Sequence, residues 1–354
     1  MQSRLEYLDG LRGIAILLVL SFHAYARWPG LVPYGDTYKG FPLFQLGWLG
    51  VELFFLISGF VIFMTLDKIN NFNTFIYKRW LRLFPAMFLA SILIYLTSPF
   101  FIERPAGKPD LIDLLPGLTF IEPEWWSYIL KTDISSLEGA FWSLYVEFKF
   151  YVVSGLIYYF LGRKYLVPSL FLLFIFSIMV YSFQANNDSE VLRCMIDISD
   201  NLSLKYFGWF CAGSMFYLYK QNNNETYFLM ALGVVTLSSY ITAPYFHAMI
   251  AAFLVSGLFA LSLRLAIIQK ILSNRLLIFF GFVSYPLYLI HENAMISMVI
   301  KLGVHLPELE PLFYPFLPVF ILVIVSFFIA SSFESKVKNL IMILNRKKIS
   351  KLAN

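Results

Sequence analysis

Long apolar segments constrain this chain more than any other feature of its sequence. Ten such segments, each about 20 residues long, are separated by polar connections. A run of this length can cross the roughly 30 Å hydrocarbon core of a bilayer as one helix. The composition agrees, because 59% of the residues are hydrophobic and 14% are charged, which excludes an ordinary soluble domain. We predict an all-α integral membrane protein, a bundle of about ten transmembrane helices.

The predicted spans follow one another along most of the chain. They cover residues 8–27, 43–66, 83–101, 140–161, 165–183, 203–219, 227–244, 246–263, 276–300 and 314–333. These bounds define a membrane domain at residues 1–335 and leave a short basic tail at residues 336–354.

Basic residues fall mainly in alternate connections. With the N-terminus in the cytoplasm, seventeen of them lie on the inner side and eight on the outer side. Cytoplasmic connections carry the excess of lysine and arginine in membrane proteins, so we expect both termini to be cytoplasmic. The same rule accounts for the net charge of +5, and we predict no nucleic-acid partner.

A cleaved signal peptide is an alternative reading of the N-terminus. The sequence Ala24-Tyr25-Ala26 has the small-x-small form of a cleavage site. Glu6 and Asp9 are unusual in an n-region, and cleavage would leave the basic tail outside. We therefore expect the first span to be retained.

Two ionisable residues stand within the first span. Arg12 and His23 are eleven residues apart, which places them within ~20° of one helix face and ~16 Å apart in height. Such side chains are costly against lipid, so they turn toward a protein interior or a wet cavity and are candidates for function. A packing bond to a neighbouring carbonyl is the structural alternative for His23.

Depth along the helices brings further ionisable residues to the level of His23. At ~1.5 Å per residue, His291, Glu147 and Glu52 all reach the same outer layer. Glu52 could equally serve the bundle through a buried hydrogen bond, and His291 suits either a fixed tautomer or a packing bond. Pairing of Glu147 with Lys149 is disfavoured, because residues two apart point to opposite sides of a helix.

A basic cluster marks the inner end of the third span. Arg79 and Arg82 are three residues apart and share a helix face beside Lys78. Positive-inside charge is one explanation. The other is an anion site, because guanidinium groups grip phosphates with fork geometry and a nucleotide-bearing donor would arrive from this side.

The longest predicted connection covers residues 102–139 and is expected outside the membrane. It contains Trp125 and Trp126 among prolines and acidic residues. Their rings suit an aromatic belt at the headgroup level, or they could stack on a sugar.

Five segments occur in a fixed order along the chain: DGLRGIAILLVLSFH, GVELFFLISGF, YKRWLRLFPA, FWSLYVEFKFY and SYPLYLIH. In this order they resemble the motifs of acyltransferase family 3, integral-membrane O-acyltransferases of cell envelopes. The resemblance spans most of the chain. It implies a ten-helix core that takes an acyl group, commonly acetyl from cytoplasmic acetyl-CoA, and places it on a hydroxyl of a sugar or similar acceptor. The stand-alone form, without a fused esterase-like domain, is expected.

The resemblance implies functional roles for Arg12, His23, Arg79 and Arg82, and it places Glu147 at the acidic position of the fourth motif. Together with the residue arguments above, it gives the predicted site residues. The predicted catalytic residues are His23, Glu147 and Arg12, and the predicted donor-binding residues are Arg79, Arg82 and Lys78. Candidate accessory residues are His291, Glu52, Ser58, Tyr288 and Asp9. Two positions depart from the family pattern: Glu52 replaces the more usual Asp, and Glu292-Asn293 follows His291 where a residue-Pro pair is frequent.

The predicted mechanism is direct transfer. His23 takes a proton from the acceptor hydroxyl as the hydroxyl attacks the thioester carbonyl of acetyl-CoA or another acyl-CoA. Glu147 would orient the imidazole, although Glu52 is an alternative partner, and a covalent acyl-histidine is an alternative intermediate.

Transport is the main competing function. A transporter or flippase for a polar solute or a lipid-linked glycan would also bury His and Glu residues, and a scaffold without catalysis is a third possibility. No inverted repeat is evident in the sequence, which favours the enzyme. Its expected partners are the lipid bilayer, acyl-CoA and a carbohydrate acceptor, without a metal, in the bacterial inner membrane.

Overall fold

A computed structural model describes residues 5–184, 189–243, 245–333, 335–337, 339–341 and 343 of the 354-residue chain. Among these residues the regular structure is helical and contains no β-strand. Arg4 and most of the basic tail predicted at residues 336–354 lie outside the described residues. The all-α class predicted from the apolar segments is confirmed.

The helices follow one another with short connections. The first eight are α1 Glu6–Tyr25, α2 Pro42–Gln45, α3 Leu49–Leu66, α4 Phe72–Thr97, α5 Leu114–Thr119, α6 Pro123–Leu130, α7 Trp142–Leu156 and α8 Leu166–Gln184. They are followed by α9 Glu190–Asn201, α10 Phe207–Asn222, α11 Glu225–Thr242, α12 Phe246–Arg264, α13 Ala266–Leu272, α14 Arg275–Ile290, α15 Glu292–His305 and α16 Phe316–Phe328.

Many of these helices have the length and composition of membrane spans. In the described part of the chain, seven are long and apolar enough to cross a bilayer, or eight if the bent pair of α13 and α14 is one span. The chain is therefore a multi-pass membrane protein. A helix stands at each of the ten predicted spans, but α10 and α11 do not meet the same criterion. The number ten and the cytoplasmic position of both termini stay predictions.

The chain forms two compact units. Unit 1 comprises Met1–Val19, Leu46–Tyr77 and Ser143–Phe280, and unit 2 comprises Leu20–Gln45, Lys78–Trp142 and Gly281–Asn354. Helices α1, α4, α7 and α14 contribute residues to both units.

Within unit 1, α10 packs against α3, α8 and α11. Glycines let the backbones of α3 and α10 approach each other. A Cβ atom on Gly59 would lie 2.1 Å from the carbonyl oxygen of Phe210, and one on Gly213 would lie 2.1 Å from that of Leu56. The Ser214 hydroxyl donates to the Gly59 carbonyl at 3.2 Å. Small residues at helix contacts are typical of membrane bundles, where van der Waals packing drives association.

Within unit 2, the predicted outer connection at 102–139 is folded rather than extended. It contains α5 and α6, which pack together. The Asp113 side chain is buried and accepts hydrogen bonds from the backbone N–H groups of Ser135, at 2.7 Å, and Asp110, at 2.8 Å. This carboxylate ties distant parts of the connection together.

The predicted span 276–300 differs from expectation, because it consists of α14 and α15 with a break at His291. Two side chains explain the break. The Tyr288 carbonyl lies 2.9 Å from the His291 ring Nδ1, and the Asn293 N–H donates to the Glu138 carboxylate at 3.0 Å. Both backbone groups would otherwise serve the helical hydrogen-bond ladder, with which such side-chain bonds compete.

Candidate active site

Two histidines meet inside unit 2. His23, in the last turn of α1, places Nδ1 3.2 Å from Nε2 of His291, and the ring centroids are 4.7 Å apart in an edge-to-face arrangement. His291 has no exposed surface, whereas the His23 side chain keeps 11% of its surface accessible. These two residues, which the depth argument placed at one level, are thus in contact.

Hydrogen bonds assign the tautomers of both rings. The Nδ1 of His291 lies 2.9 Å from the Tyr288 carbonyl, which only accepts, so Nδ1 of His291 carries a proton. A fully buried imidazole is costly in its charged form and is therefore neutral here, which leaves Nε2 of His291 as an acceptor. His23 must then donate from Nδ1. Its Nε2 is the basic nitrogen of the pair.

A carboxylate faces that nitrogen. Glu292, the first residue of α15, has Oε1 3.6 Å from Nε2 of His23. The same oxygen accepts from the Trp28 indole at 3.1 Å, and Oε2 accepts from the Ala140 N–H at 2.8 Å. The Glu292 side chain is 3% exposed. These donors fix the carboxylate where it would stabilise a protonated His23 ring.

A second buried carboxyl lies next to Glu292. Glu138 is 1% exposed and accepts from the N–H and the side-chain amide of Asn293, at 3.0 and 2.7 Å. Burial, together with the nearby charge of Glu292, raises the pKa of Glu138 to about 8, although Arg104 and the bonds from Asn293 act in the opposite direction. At neutral pH the Glu138 carboxyl is therefore protonated.

Tyr288 and Asp9, predicted as accessory residues, both make specific contacts. The Tyr288 hydroxyl donates to the Ala140 carbonyl at 3.0 Å, in unit 2. In unit 1, Arg12 lies 3.1 Å from the Asp9 carboxylate, one turn earlier on α1. The catalytic role predicted for Arg12 is not tested by this ion pair.

The remaining predicted acids belong to unit 1. Glu147 accepts from the hydroxyls of Ser58, at 2.7 Å, and Tyr151, at 2.5 Å. Lys149 donates to the Ser203 hydroxyl at 3.1 Å. Glu52 is 4% exposed, and its Oε2 has no hydrogen-bond partner. Ser58 and Glu147 thus form a pair, while the orienting role predicted for Glu147 stays a prediction.

The predicted donor-binding residues lie on α4, in unit 2. Because α4 begins at Phe72, the cluster is helical and precedes the predicted span 83–101 on the same helix. Lys78 and Arg82 are exposed, and Arg79 is partly exposed. Exposed guanidinium groups on one helical face are compatible with binding of an anion.

Sequence reasoning missed three residues of this site. Trp28 and Glu138 lie just outside the predicted spans, so no depth was assigned to them. Glu292 was noted as the neighbour of His291 and as a departure from a motif, but it was given no role, although an acid beside a membrane histidine is itself a signal. In the described part of the chain, no group of three His, Cys, Asp or Glu residues is arranged to hold a metal ion.

Helices of bilayer length and a buried cluster of histidines and acids define a multi-pass membrane protein with a candidate catalytic centre. Over residues 5–333 the sequence matches a family model described as an acyltransferase domain. The chain belongs to this family, acyltransferase family 3, and the family predicted from the five motifs is confirmed.

Several curated proteins are similar to parts of the chain. The peptidoglycan O-acetyltransferase OatA of Listeria monocytogenes is 26% identical over 162 residues, which cover 41% of this chain and 23% of the relative. An O-acetyl transferase of Shigella phage Sf6 is 28% identical over 153 residues, 42% of this chain and 44% of the relative. The O-acetyltransferase OatA of Staphylococcus aureus is 28% identical over 210 residues, 52% of this chain and 31% of the relative. The matches thus span less than half the length of each relative, and no solved structure matches.

Proposed function

We propose that this protein is a membrane O-acyltransferase that moves an acyl group, most simply acetyl, from cytoplasmic acyl-CoA to a hydroxyl of a cell-envelope or exported carbohydrate. The family and the O-acetyltransferase names of the relatives support this proposal. The observation that carries it is the basic Nε2 of His23, which faces the buried carboxylate of Glu292. A bacterial inner membrane with both termini in the cytoplasm is the proposed location.

The reaction needs one proton acceptor and one leaving group. Nε2 of His23 takes the proton of the acceptor hydroxyl, whose oxygen attacks the thioester carbonyl. The C–S bond then breaks, an ester forms, and the CoA thiolate leaves and takes the proton from the imidazolium. While the ring is charged, the Glu292 carboxylate, 3.6 Å from the same nitrogen, stabilises the charge.

The Nδ1 bond to His291 keeps the His23 ring in a single orientation and tautomer. Buried His291 cannot readily leave, because its own Nδ1 is held by the Tyr288 carbonyl. Direct transfer uses this geometry without a covalent intermediate, and it is the mechanism that we favour over an acyl-histidine.

The donor side of the proposal uses basic residues. Arg79, Arg82 and Lys78 would bind the phosphates of the acyl-CoA, with Arg12 nearer the thioester. Arginines suit this task because two N–H groups can bind one phosphate at once. Glu147, held by Ser58 and Tyr151, remains a proposed participant on the strength of its motif.

The test is transfer by the purified protein in nanodiscs. Acetyl-CoA labelled in the acetyl group is incubated with isolated peptidoglycan and lipopolysaccharide, and free CoA and alkali-labile acetate on the glycan are measured together. The unchanged protein should release CoA in step with ester formation. His23→Ala should lower this rate by about 10²- to 10⁴-fold, the usual contribution of a general base.

His247→Ala provides the matched control, because His247 is exposed and lies in unit 1. It should leave the rate unchanged. Retained transfer by the His23 variant would remove His23 from the catalytic role, and a protein that consumes no labelled donor with either glycan would contradict the proposed function.

A further inference from the structure

Hydrogen bonds join the segment before α7 to the first residues of α15, and each segment provides both donors and acceptors. The Glu138 carboxyl accepts from the N–H and the side-chain amide of Asn293. The Glu292 carboxylate accepts in return from the N–H of Ala140. Each acid thus accepts a hydrogen bond from a backbone N–H group that lies close to the other acid in the sequence. We call this arrangement of residues 137–140 and 292–293 the clasp.

Further hydrogen bonds hold the clasp in place. The Asn293 amide also donates to the Leu137 carbonyl at 3.0 Å, and the Tyr288 hydroxyl reaches the Ala140 carbonyl. The Asn293 side-chain oxygen accepts from the Ala106 N–H at 3.0 Å. These hydrogen bonds restrict the geometry of the buried segment.

Gly139 sits at the centre of the clasp and leaves no spare room. A Cβ atom built there would lie 2.8 Å from Oε2 of Glu292 and 3.2 Å from Oε1. The carboxylate reaches the Ala140 N–H only because residue 139 has no side chain. Glu292 is therefore held by shape as well as by hydrogen bonds.

The charges around Glu138 explain why two acids can be buried side by side. Glu292 and Arg104 face the Glu138 carboxyl, and Asp113 lies beyond them near Arg104. Arg104 donates to the Leu137 carbonyl inside the clasp. Since the pKa of Glu138 is raised to about 8, Glu138 is neutral at pH 7 and does not repel the charge of Glu292.

We propose that Glu138 and Asn293 are positioning residues that hold the Glu292 carboxylate against the His23 imidazole, so that the connection before α7 sets the alignment of the base. The contacts run in one line from Glu138 through Asn293 to the first turn of α15, and from Glu292 to His23. This inference rests on the proposed function for its kinetic consequence. The alignment itself can be measured without turnover.

The kinetic test compares two substitutions of one residue. Glu138→Gln keeps an uncharged acceptor for Asn293 and should retain kcat within about threefold. Glu138→Ala removes the acceptor and should lower kcat by about 10- to 100-fold, with the KM for acetyl-CoA unchanged, as expected when a base is misaligned rather than a donor site lost. Gly139→Ala should reproduce the loss through sterics alone.

The pH profile separates positioning from a merely structural role. In the unchanged protein, kcat should fall above about pH 8, because Glu138 then ionises next to Glu292. The Glu138→Gln protein has no such group and should lose this alkaline limb while keeping its neutral rate. A profile identical to that of the unchanged protein would overturn the inference.

The independent readout is the indole N–H resonance of Trp28, which donates to Glu292. It is assigned by Trp28→Phe in the full chain labelled with ¹⁵N-tryptophan. Glu138→Ala should move the resonance toward its position in a Glu292→Ala protein, and Glu138→Gln should not. An unmoved resonance in Glu138→Ala overturns the clasp, whereas the expected shift in a protein that transfers no acetyl supports the clasp and counts against the proposed function.

Discussion

The two units bury polar groups in different ways. In unit 1 they form small separate groups, such as the bond from Ser58 to Glu147 and the contact of Ser214 with a backbone carbonyl. In unit 2, acids and histidines from segments far apart in the sequence join one network, which runs from His23 through Glu292 to the clasp. Burial of charge costs folding free energy. The unit 2 network is therefore explained by chemistry more readily than by stability.

The stability of unit 1 depends instead on close packing of its helices. Its helices α3 and α10 approach so closely at Gly59 and Gly213 that no side-chain atom fits between them. Packing of this kind contributes to folding and not to proton transfer. The contrast predicts that substitutions in the unit 2 network lower activity without unfolding, and that substitutions at the α3–α10 contact of unit 1 unfold the protein without changing the activity of the folded fraction.

The largest effect is expected for Glu292→Gln. This change keeps an oxygen for the Trp28 indole but removes the charge that faces His23. We expect kcat to fall about 100-fold, which corresponds to about 3 kcal/mol, with the midpoint of thermal unfolding preserved. Glu308→Gln, at an exposed residue of the same unit, is the control and should match the unchanged protein. A large loss of stability would instead make Glu292 a structural charge and weaken the contrast.

A smaller effect, on stability alone, is expected for Gly59→Ala. The added methyl group would meet the Phe210 carbonyl at 2.1 Å, and overpacking of this kind costs about 2 kcal/mol. Thermal unfolding in detergent measures it. Gly233→Ala is the matched control, because a Cβ atom there meets nothing within 4 Å. Equal midpoints for the two variants would show that α3 and α10 can separate without cost.

The smallest effect, again on stability, is expected when Asp67 is replaced. Asp67 lies at the centre of a polar cluster in unit 1. Its carboxylate accepts two bonds from Arg163, at 2.8 and 2.9 Å, and one each from Tyr158 and Tyr217, at 2.8 and 3.0 Å. Burial acts to raise the pKa of Asp67, but these bonds outweigh it and lower the pKa overall. Asp67→Asn should cost about 1 kcal/mol, because Arg163 is partly exposed and solvent weakens the ion pair.

The lowered pKa fixes the pH dependence of this contribution. A carboxyl whose pKa is lower in the folded state stabilises the fold above its unfolded pKa of about 3.9, and the contribution disappears as the pH falls through the folded value. Acid unfolding between about pH 5 and 2 should therefore be less steep in Asp67→Asn. Asp36→Asn, whose side chain is 77% exposed, should unfold like the unchanged protein. Parallel acid profiles for all three proteins would contradict the assignment.

The sequence predicted the helices because apolar runs of bilayer length have few other ways to satisfy their backbone groups. The break at His291 could not be predicted, since it depends on the His291 ring and on Glu138, a residue more than 150 positions away in the chain. The folded state of the outer connection also depends on tertiary contacts, because Asp113 bonds residues on both sides of α5 and α6.

The candidate site was predicted in part. Helix geometry identified His23 and His291, because both lie on long helices where residue number translates into depth. Glu147, with Glu52 as the alternative, was predicted to orient His23, and this role stays a prediction. The acid that faces His23 within unit 2 is Glu292. Partner identity depends on helix rotation and on loop structure, neither of which is encoded in hydrophobic periodicity. Ser58, predicted as an accessory residue, donates to Glu147, and its role in the site stays a prediction.

Gly139 links the residues that can occur at two positions far apart in the sequence, 139 and 292. A side chain at residue 139 and a full-length carboxylate at residue 292 compete for the same few cubic ångströms. A lineage that acquires any larger residue at the first position must therefore shorten or redirect the second. In sequences that share this arrangement, the two columns are expected to change together, with glycine opposite glutamate as the permitted combination.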